Sequence, residues 1–235
     1  MIIAANLKTN FTRKKTLEYL GEIENFLTKE SNTQEVLVFP AASSLVPHEG
    51  KIVLGAQNAY PAYNGAYTGE IAQEHLEEFG IKTILIGHSE RRHIFNETQV
   101  ELVKKFNYYK DLGYKIVYCV GEPKDVREAG HESMMSYISQ QYEGIDTLYK
   151  NLIIAYEPVW AIGTGLTPTL EDIVLIHKEL KEKSHAPLLY GGSVKVTNAK
   201  EVLELENVDG ILVGSAALYA EHFCTMCEYA QTIEN

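Results

Sequence analysis

Glu157 stands where an apolar run meets a proline. Residues 152–156, Leu-Ile-Ile-Ala-Tyr, have the length and composition of a fully buried strand. Pro158 stops the run, because proline cannot donate to a sheet ladder and restricts the residue before it. A carboxylate at the mouth of such a strand, desolvated on one side, is expected to have a raised pKa and to serve as a general base. Then come Pro158, Val159, Trp160, Ala161, Ile162, Gly163, Thr164 and Gly165. Apolar side chains costly to leave in water, followed by two flexible glycines, suit a segment that closes over a ligand and reopens. The same stretch reads as readily as a strand terminus followed by a buried turn.

Other reactive residues sit at the ends of further apolar runs. Asn6 and Lys8 leave the first; two apart, they face the same way in an extended chain. Taken alone, a Lys after a strand is more often a solvated surface charge. His88 ends the run 83–88, just before Ser89-Glu90-Arg91-Arg92, which looks like a helix start with its acid in the first turn. There the positive end of the helix dipole favours a neutral imidazole, although a structural histidine is the plainer reading. Gly191-Gly192-Ser193 and Gly214-Ser215 follow the last two runs, and paired turns of this kind offer backbone N–H groups to a phosphate. Gln57, Asn58 and Glu122 complete the polar strand ends.

Competing motifs fail on inspection. Gly163-Thr-Gly165 would need glycine or alanine at position 168 for a dinucleotide fingerprint, and Pro168 is there. Gly87-His-Ser89-Glu-Arg91 lacks the final glycine of a nucleophile elbow. Cys224-Thr-Met-Cys227 is a lone CxxC whose two thiols share one helical face; it lacks the second ligand pair of a metal site, and with Cys119 it fits a reducing compartment. No Walker loop or HExxH is present, so the expected site is a phosphate site without metal or cofactor.

The elements that position these residues alternate along the chain. Strand-like apolar runs fall at 2–6, 36–39, 52–56, 83–86, 115–120, 152–156, 187–190 and 210–213. Most are apolar throughout, as parallel strands buried on both faces are. Between them lie helical stripes: Leu17, Leu20, Ile23 and Leu27; then Val100, Val103, Phe106 and Tyr109, closed by Gly113. Thr167-Pro168, with Glu171 and Asp172 in the first turn, is expected to start a third helix carrying Ile173, Ile176 and Leu180. Residues 41–50 leave room for little helix. One (β/α)8 barrel domain over residues 1–235 is the fold expected, with its chemistry at the C-terminal strand ends.

Composition limits the partners. The net charge of −11 argues against nucleic acid and acidic membrane, and an anionic substrate must be held by local devices. No run approaches the roughly 18 apolar residues of a membrane span. Residues 1–6 read as a strand and not as a signal peptide, which makes the cytoplasm the expected compartment. Asn10-Phe-Thr12 and Asn96-Glu-Thr98 match the glycosylation pattern and are set aside for that reason.

Asn6-Leu-Lys8, Gly87-His-Ser-Glu-Arg-Arg92, Tyr156-Glu-Pro-Val-Trp-Ala-Ile-Gly-Thr-Gly165, Tyr190-Gly-Gly-Ser193 and Leu212-Val-Gly214 together resemble the triosephosphate isomerase family, from the first strand to the last. The resemblance implies a reversible aldose–ketose isomerisation of dihydroxyacetone phosphate and glyceraldehyde 3-phosphate through an enediolate. It implies Glu157 as the base, a neutral His88 as electrophile, Lys8 stabilising the enediolate and phosphate charge, and Asn6 orienting the oxygens. It further implies that the N–H groups of Gly163, Ser193, Gly214 and Ser215 hold the phosphate beneath a lid over residues 158–165. The long aromatic loop 60–70 would insert into the partner of a homodimer, bringing Thr68 near the partner's Asn6 and Lys8. Leu7 stands where an aromatic is common. Ser215 replaces a glycine, so the turn must admit a side chain. Pro168 falls where the family's lid offers an N–H to the tyrosine of Tyr190-Gly-Gly-Ser193, so a weaker latch is expected. A sugar-phosphate epimerase would share the last two turns but would not need Asn-x-Lys, His88 and the Glu-Pro-Val-Trp segment together. A non-catalytic barrel would tolerate their loss, and all three stand.

Overall fold

β1 (Ile2–Asn6), β2 (Glu35–Phe39), β3 (Ile52–Leu54), β4 (Thr83–Ile86), β5 (Lys115–Val120), β6 (Leu152–Tyr156), β7 (Leu188–Tyr190) and β8 (Gly210–Val213) form one parallel sheet in the computed structural model, which describes residues 1–29, 33–162 and 166–234. The order is β3-β2-β1-β8-β7-β6-β5-β4. Across the remaining gap Ala56 bridges Ile84: the Ala56 N–H donates to the Thr83 carbonyl at 2.9 Å, and its carbonyl accepts from the Leu85 N–H at 2.8 Å. The row therefore closes on itself with helices outside it, which is the (β/α)8 architecture expected.

Strand parity explains two cores. Ile2, Ala4, Leu37, Phe39, Leu85, Val117, Cys119, Ile153, Ala155, Leu189 and Leu212 form a cluster built of strand residues alone, the filling of the barrel. Their alternates, such as Ile3, Ala5, Val38, Ile116 and Ile154, pack outward on helix residues such as Ile23, Phe106, Ile176 and Phe223. The inward parity runs straight into the site. Positions 2 and 4 lead to Asn6, 153 and 155 to Glu157, 189 to Gly191, and 212 to Gly214.

β3 is shorter than its apolar run. Past Leu54 the Gly55 N–H still donates to the Val38 carbonyl at 2.9 Å, and glycine is needed there because a Cβ would lie 2.2 Å from the Phe39 ring. Only a short 3-10 turn, Ala42–Ser44, separates β2 from β3, as the spacing required. Two helical stripes are corrected. In Arg13–Lys29, Leu17 is 52% exposed, and Thr16 and Tyr19 join Leu20, Ile23 and Leu27 in the buried face. In Gln99–Asp111, Val100 is 65% exposed and Leu102 takes its place beside Phe106 and Tyr109. In the first helix the inward face takes Thr16 and Tyr19, a small polar and an aromatic residue that an aliphatic stripe passes over; in the second it takes Leu102 and Lys105 and leaves the first turn's Val100 outside. Gly113 adopts a φ of 76° just past the second helix, as a C-terminal glycine does. The helix Leu170–Lys183 begins later than Thr167-Pro168 implied: Thr169 caps it, its Oγ accepting from the Asp172 N–H at 3.1 Å.

Candidate active site

Glu157, His88, Lys8 and Asn6 meet in a cavity of about 610 Å3 at the C-terminal mouth of the barrel. Each arrives by a different device. Asn6 and Glu157 come by inward parity from β1 and β6. His88 has the wrong parity: a continued β4 would turn it outward. Gly87 resets the chain with a φ of 77° in the left-handed region, which glycine enters without strain. Lys8 was expected to follow Asn6 in extended chain, and that is corrected. Its own φ is 52°, and the turn is held by its N–H donating to Asn6 Oδ1 at 3.0 Å and by Gln57 Nε2 donating to its carbonyl at 2.7 Å. Gln57 Nε2 also reaches the Phe39 carbonyl at 2.9 Å, tying the strained turn to β2.

The Glu157 carboxylate is 2% exposed and fully engaged. Oε2 accepts from the Ser89 N–H at 2.8 Å, and Oε1 lies 3.0 Å from His88 Nε2. On the other side of the ring, Nδ1 accepts from the Glu90 N–H at 3.3 Å, at the start of the short helix Ser89–His93. Occupied that way, Nδ1 carries no proton, and the imidazole holds its proton on Nε2, pointing at Glu157. Lys8 Nζ donates to Glu90 Oε1 at 2.6 Å, so the ammonium is anchored beside the histidine.

The electrostatics correct the expectation of a raised Glu157 pKa. Burial is the largest influence and pushes it up, but His88, the Ser89 N–H and Lys8 together hold the carboxyl below its ordinary value. The complementary change falls on His88. Burial pushes its pKa down, yet the Glu157 and Glu90 carboxylates outweigh burial, so the pKa is raised where the helix dipole alone argued for lowering. Both shifts belong to the Glu157–His88 pair in contact, and separating the pair removes the strongest opposition to burial at each residue.

The opposite wall is made of turns. Gly191, Gly192, Ser193, Gly214 and Ser215 all line the cavity. Gly192 must be glycine, since a Cβ there would lie 2.2 Å from the Tyr190 hydroxyl. Gly214 packs on Lys8, whose Cε lies 3.4 Å from where its Cβ would be, so the last turn and the ammonium are neighbours.

Of the lid segment, Val159–Ala161 form a 3-10 turn, Ala161 is buried and Ile162 lines the cavity. Gly163, Thr164 and Gly165 lie outside the described residues. The turn is tied down at both ends. Trp160 Nε1 donates to Glu122 Oε1 at 2.9 Å, and the Ser193 hydroxyl donates to the Ala161 carbonyl at 2.6 Å. Glu122 is itself buried, with its pKa raised by that burial.

Two partners of the site escaped sequence reasoning, the Ser89 N–H and the Glu90 carboxylate, and Gln57, read as a polar strand end, was given no part in holding Lys8. Each acts across the barrel mouth or through a backbone group, and no spacing rule encodes such contacts. Among the described residues no group of three His, Cys, Asp or Glu could hold a metal ion, and no helix is long and apolar enough to cross a membrane.

Comparison with known proteins agrees with this geometry. A family model described as "Triosephosphate isomerase" matches residues 1–230. The chain is 72% identical to the triosephosphate isomerase of Sulfurimonas denitrificans over 234 residues, covering 100% of this chain and 98% of the relative. It is 51% identical to that of a Sulfurovum species, covering 96% and 99%. Among solved structures, the crystal structure of triosephosphate isomerase from Bartonella henselae superposes with a TM-score of 0.87 at 32% identity, covering 98% of each chain.

Proposed function

This chain belongs to the triosephosphate isomerase family, and from that premise we propose that Glu157, His88, Lys8 and Asn6 carry out the family's reaction. The enzyme is an isomerase that interconverts dihydroxyacetone phosphate and D-glyceraldehyde 3-phosphate through an enediolate, a step of glycolysis and gluconeogenesis. The observation that carries the assignment of roles is the Glu157–His88 contact at 3.0 Å inside one cavity with Lys8.

Bound substrate places its carbonyl oxygen where His88 Nε2–H and Lys8 point, and the carbon beside it within reach of Glu157. Glu157 must first leave the Ser89 N–H and His88. Doing so removes two of the groups that lower its pKa, while burial, which raises it, remains. The carboxylate thus becomes a stronger base on approach to the carbon. The same departure frees Nε2–H to donate to the carbonyl oxygen, and His88, without its anionic partner, is held neutral by burial and Lys8. Glu157 takes the proton from one carbon, the C–H electrons form the enediolate double bond, and the carbonyl oxygen takes up the negative charge. Lys8 and the Asn6 amide, whose Oδ1 is already engaged, stabilise that charge. The substrate hydroxyl on the first carbon then passes its proton to the charged oxygen by way of His88, whose Nε2 gives its proton to one oxygen and regains one from the other. Glu157 returns its proton to the neighbouring carbon, and the oxygen that lost its proton becomes the new carbonyl, which leaves the isomeric compound.

The phosphate sits on the N–H groups of Ser193, Gly214, Ser215 and Gly163 beside the Lys8 ammonium, and the segment 158–165 closes over it to exclude water. The chain works as one domain in the cytoplasm, without metal or cofactor. It works as a homodimer: a second cavity of about 760 Å3 reaches Asn6 and Lys8 from the other side and is walled by Ile94 and Phe95, each 65% exposed. Loop 60–70, with Tyr63 and Thr68 at its exposed tip, is the segment suited to fill that cavity in the partner.

The test is the interconversion of the two triose phosphates by the purified protein beside Glu157→Gln. The proposal expects rapid turnover that falls about 10³-fold in the variant, the scale of a lost general base. Equal turnover by both would remove Glu157 from the role.

A further inference from the structure

We propose that the Ser215 hydroxyl is itself a phosphate ligand, a side-chain donor added to the backbone donors of the two turns. The inference rests on the phosphate placement above and goes beyond it, because there Ser215 contributes only its N–H. Three observations carry it. Ser215 is exposed, lines the cavity and opens the 3-10 turn Ser215–Leu218 directly after Gly214, which packs on Lys8. Its backbone lies outside the left-handed region, so a side chain here costs no strain and the turn keeps its shape without glycine. Its Oγ makes no hydrogen bond among the described residues.

The contrast with Ser193 is instructive. Both serines stand at phosphate turns, but the Ser193 hydroxyl is committed to the Ala161 carbonyl at 2.6 Å. Ser215 alone of the two has a hydroxyl to give. In a chain of net charge −11 the field does not hold an anion, so each local donor counts. A hydrogen bond to a charged group is about twice as strong as a neutral one. Because the phosphate does not react, the hydroxyl binds ground state and transition state alike and acts on KM rather than kcat.

The experiment measures kcat and KM for both triose phosphates, and the Kd of inorganic phosphate by titration calorimetry, for the intact protein and for Ser215→Ala, Ser215→Gly and Ser215→Thr. Expected are a rise of about tenfold in KM and in phosphate Kd for both Ala and Gly, kcat within about twofold, and near-complete retention by Thr, which keeps the hydroxyl. Unchanged KM and Kd in Ala and Gly would overturn the proposal. Tighter binding by Gly would also overturn it, showing that the side chain obstructs the phosphate. Calorimetry keeps this separate from the isomerase assignment: phosphate binding lost in Ala without triose phosphate turnover in the intact protein would uphold the ligand and refute the roles. Absence of both binding and turnover in the intact protein would refute both.

Discussion

Buried titratable residues show what the site does with its surroundings. Glu157 and Glu122 are both buried carboxyls, yet their pKa values move in opposite directions. Glu157 has a histidine, an amide N–H and a lysine that together outweigh burial, whereas for Glu122 burial outweighs the Trp160 indole, a backbone hydrogen bond, the Tyr156 hydroxyl and the Arg127 charge. The base is therefore kept ionised while at rest, and Glu122 is left to hold the lid turn. His177 is a third case. It is fully buried between Tyr156 and Tyr190, its Nδ1–H donates to the Asn207 carbonyl at 2.9 Å, and its Nε2 has no partner among the described residues. Burial lowers its pKa from 6.5 to about 4. A group whose folded pKa lies below its unfolded one adds stability above the unfolded pKa, and that stability is lost as pH falls toward the folded one. The loss expected between pH 6.5 and 4 is roughly 3 kcal/mol. Urea unfolding across that window should show a shallower decline in His177→Gln than in the intact protein, from a lower starting stability. Equal slopes would mean that His177 does not stay neutral in the fold.

At the scale of elements, the turn Val159–Ala161 is held by Glu122 at Trp160 and by Ser193 at Ala161. The Tyr190 hydroxyl is buried and has no hydrogen-bond partner among the described residues, which agrees with the expectation from the resemblance that Pro168, lacking an N–H, leaves it without a latch. An unpaired buried hydroxyl is a cost of about 1–3 kcal/mol. Tyr190→Phe should accordingly hold turnover within about twofold and leave the melting temperature equal or higher. A strong fall in kcat would show that the hydroxyl latches the closed lid after all. The strands were the legible elements. A strand buried on both faces writes an unbroken apolar run, and β1, β4, β5, β6 and β8 match their runs residue for residue. Helix faces were less legible because Thr16 and Tyr19 pack inward where Leu17 does not. The capping of Gln99–Asp111 by Thr98 hid inside a pattern dismissed as a glycosylation site. Glu157, Lys8 and Asn6 were legible because chemistry gathers at strand ends. The role of Gly87 in turning His88 inward was not, because it depends on the sign of one dihedral angle.

For the whole molecule, the exposed apolar surface beside the site asks for a partner. Ile94, Phe95, Tyr63 and Tyr67 are large, apolar or aromatic and at least 42% exposed, and the cavity walled by the first two opens onto Lys8. Sedimentation should give about twice the 26.4 kDa chain mass. Phe95→Glu, by placing a charge in that surface, should shift the protein toward monomer and lower turnover with it, since Asn6 and Lys8 then lose the wall behind them. A monomeric intact protein with full activity would remove the dimer from the account.

The central claim is that Glu157 carries a proton from one carbon of the substrate to its neighbour. A proton resting on a carboxyl exchanges with solvent, whereas a hydride shifting directly between the two carbons does not. The measurement is therefore the conversion of dihydroxyacetone phosphate in deuterium oxide, with the product trapped as it forms and its carbon-bound hydrogens read by NMR. The account predicts deuterium on the carbon next to the new aldehyde. Product formed at full rate with only hydrogen there would contradict it.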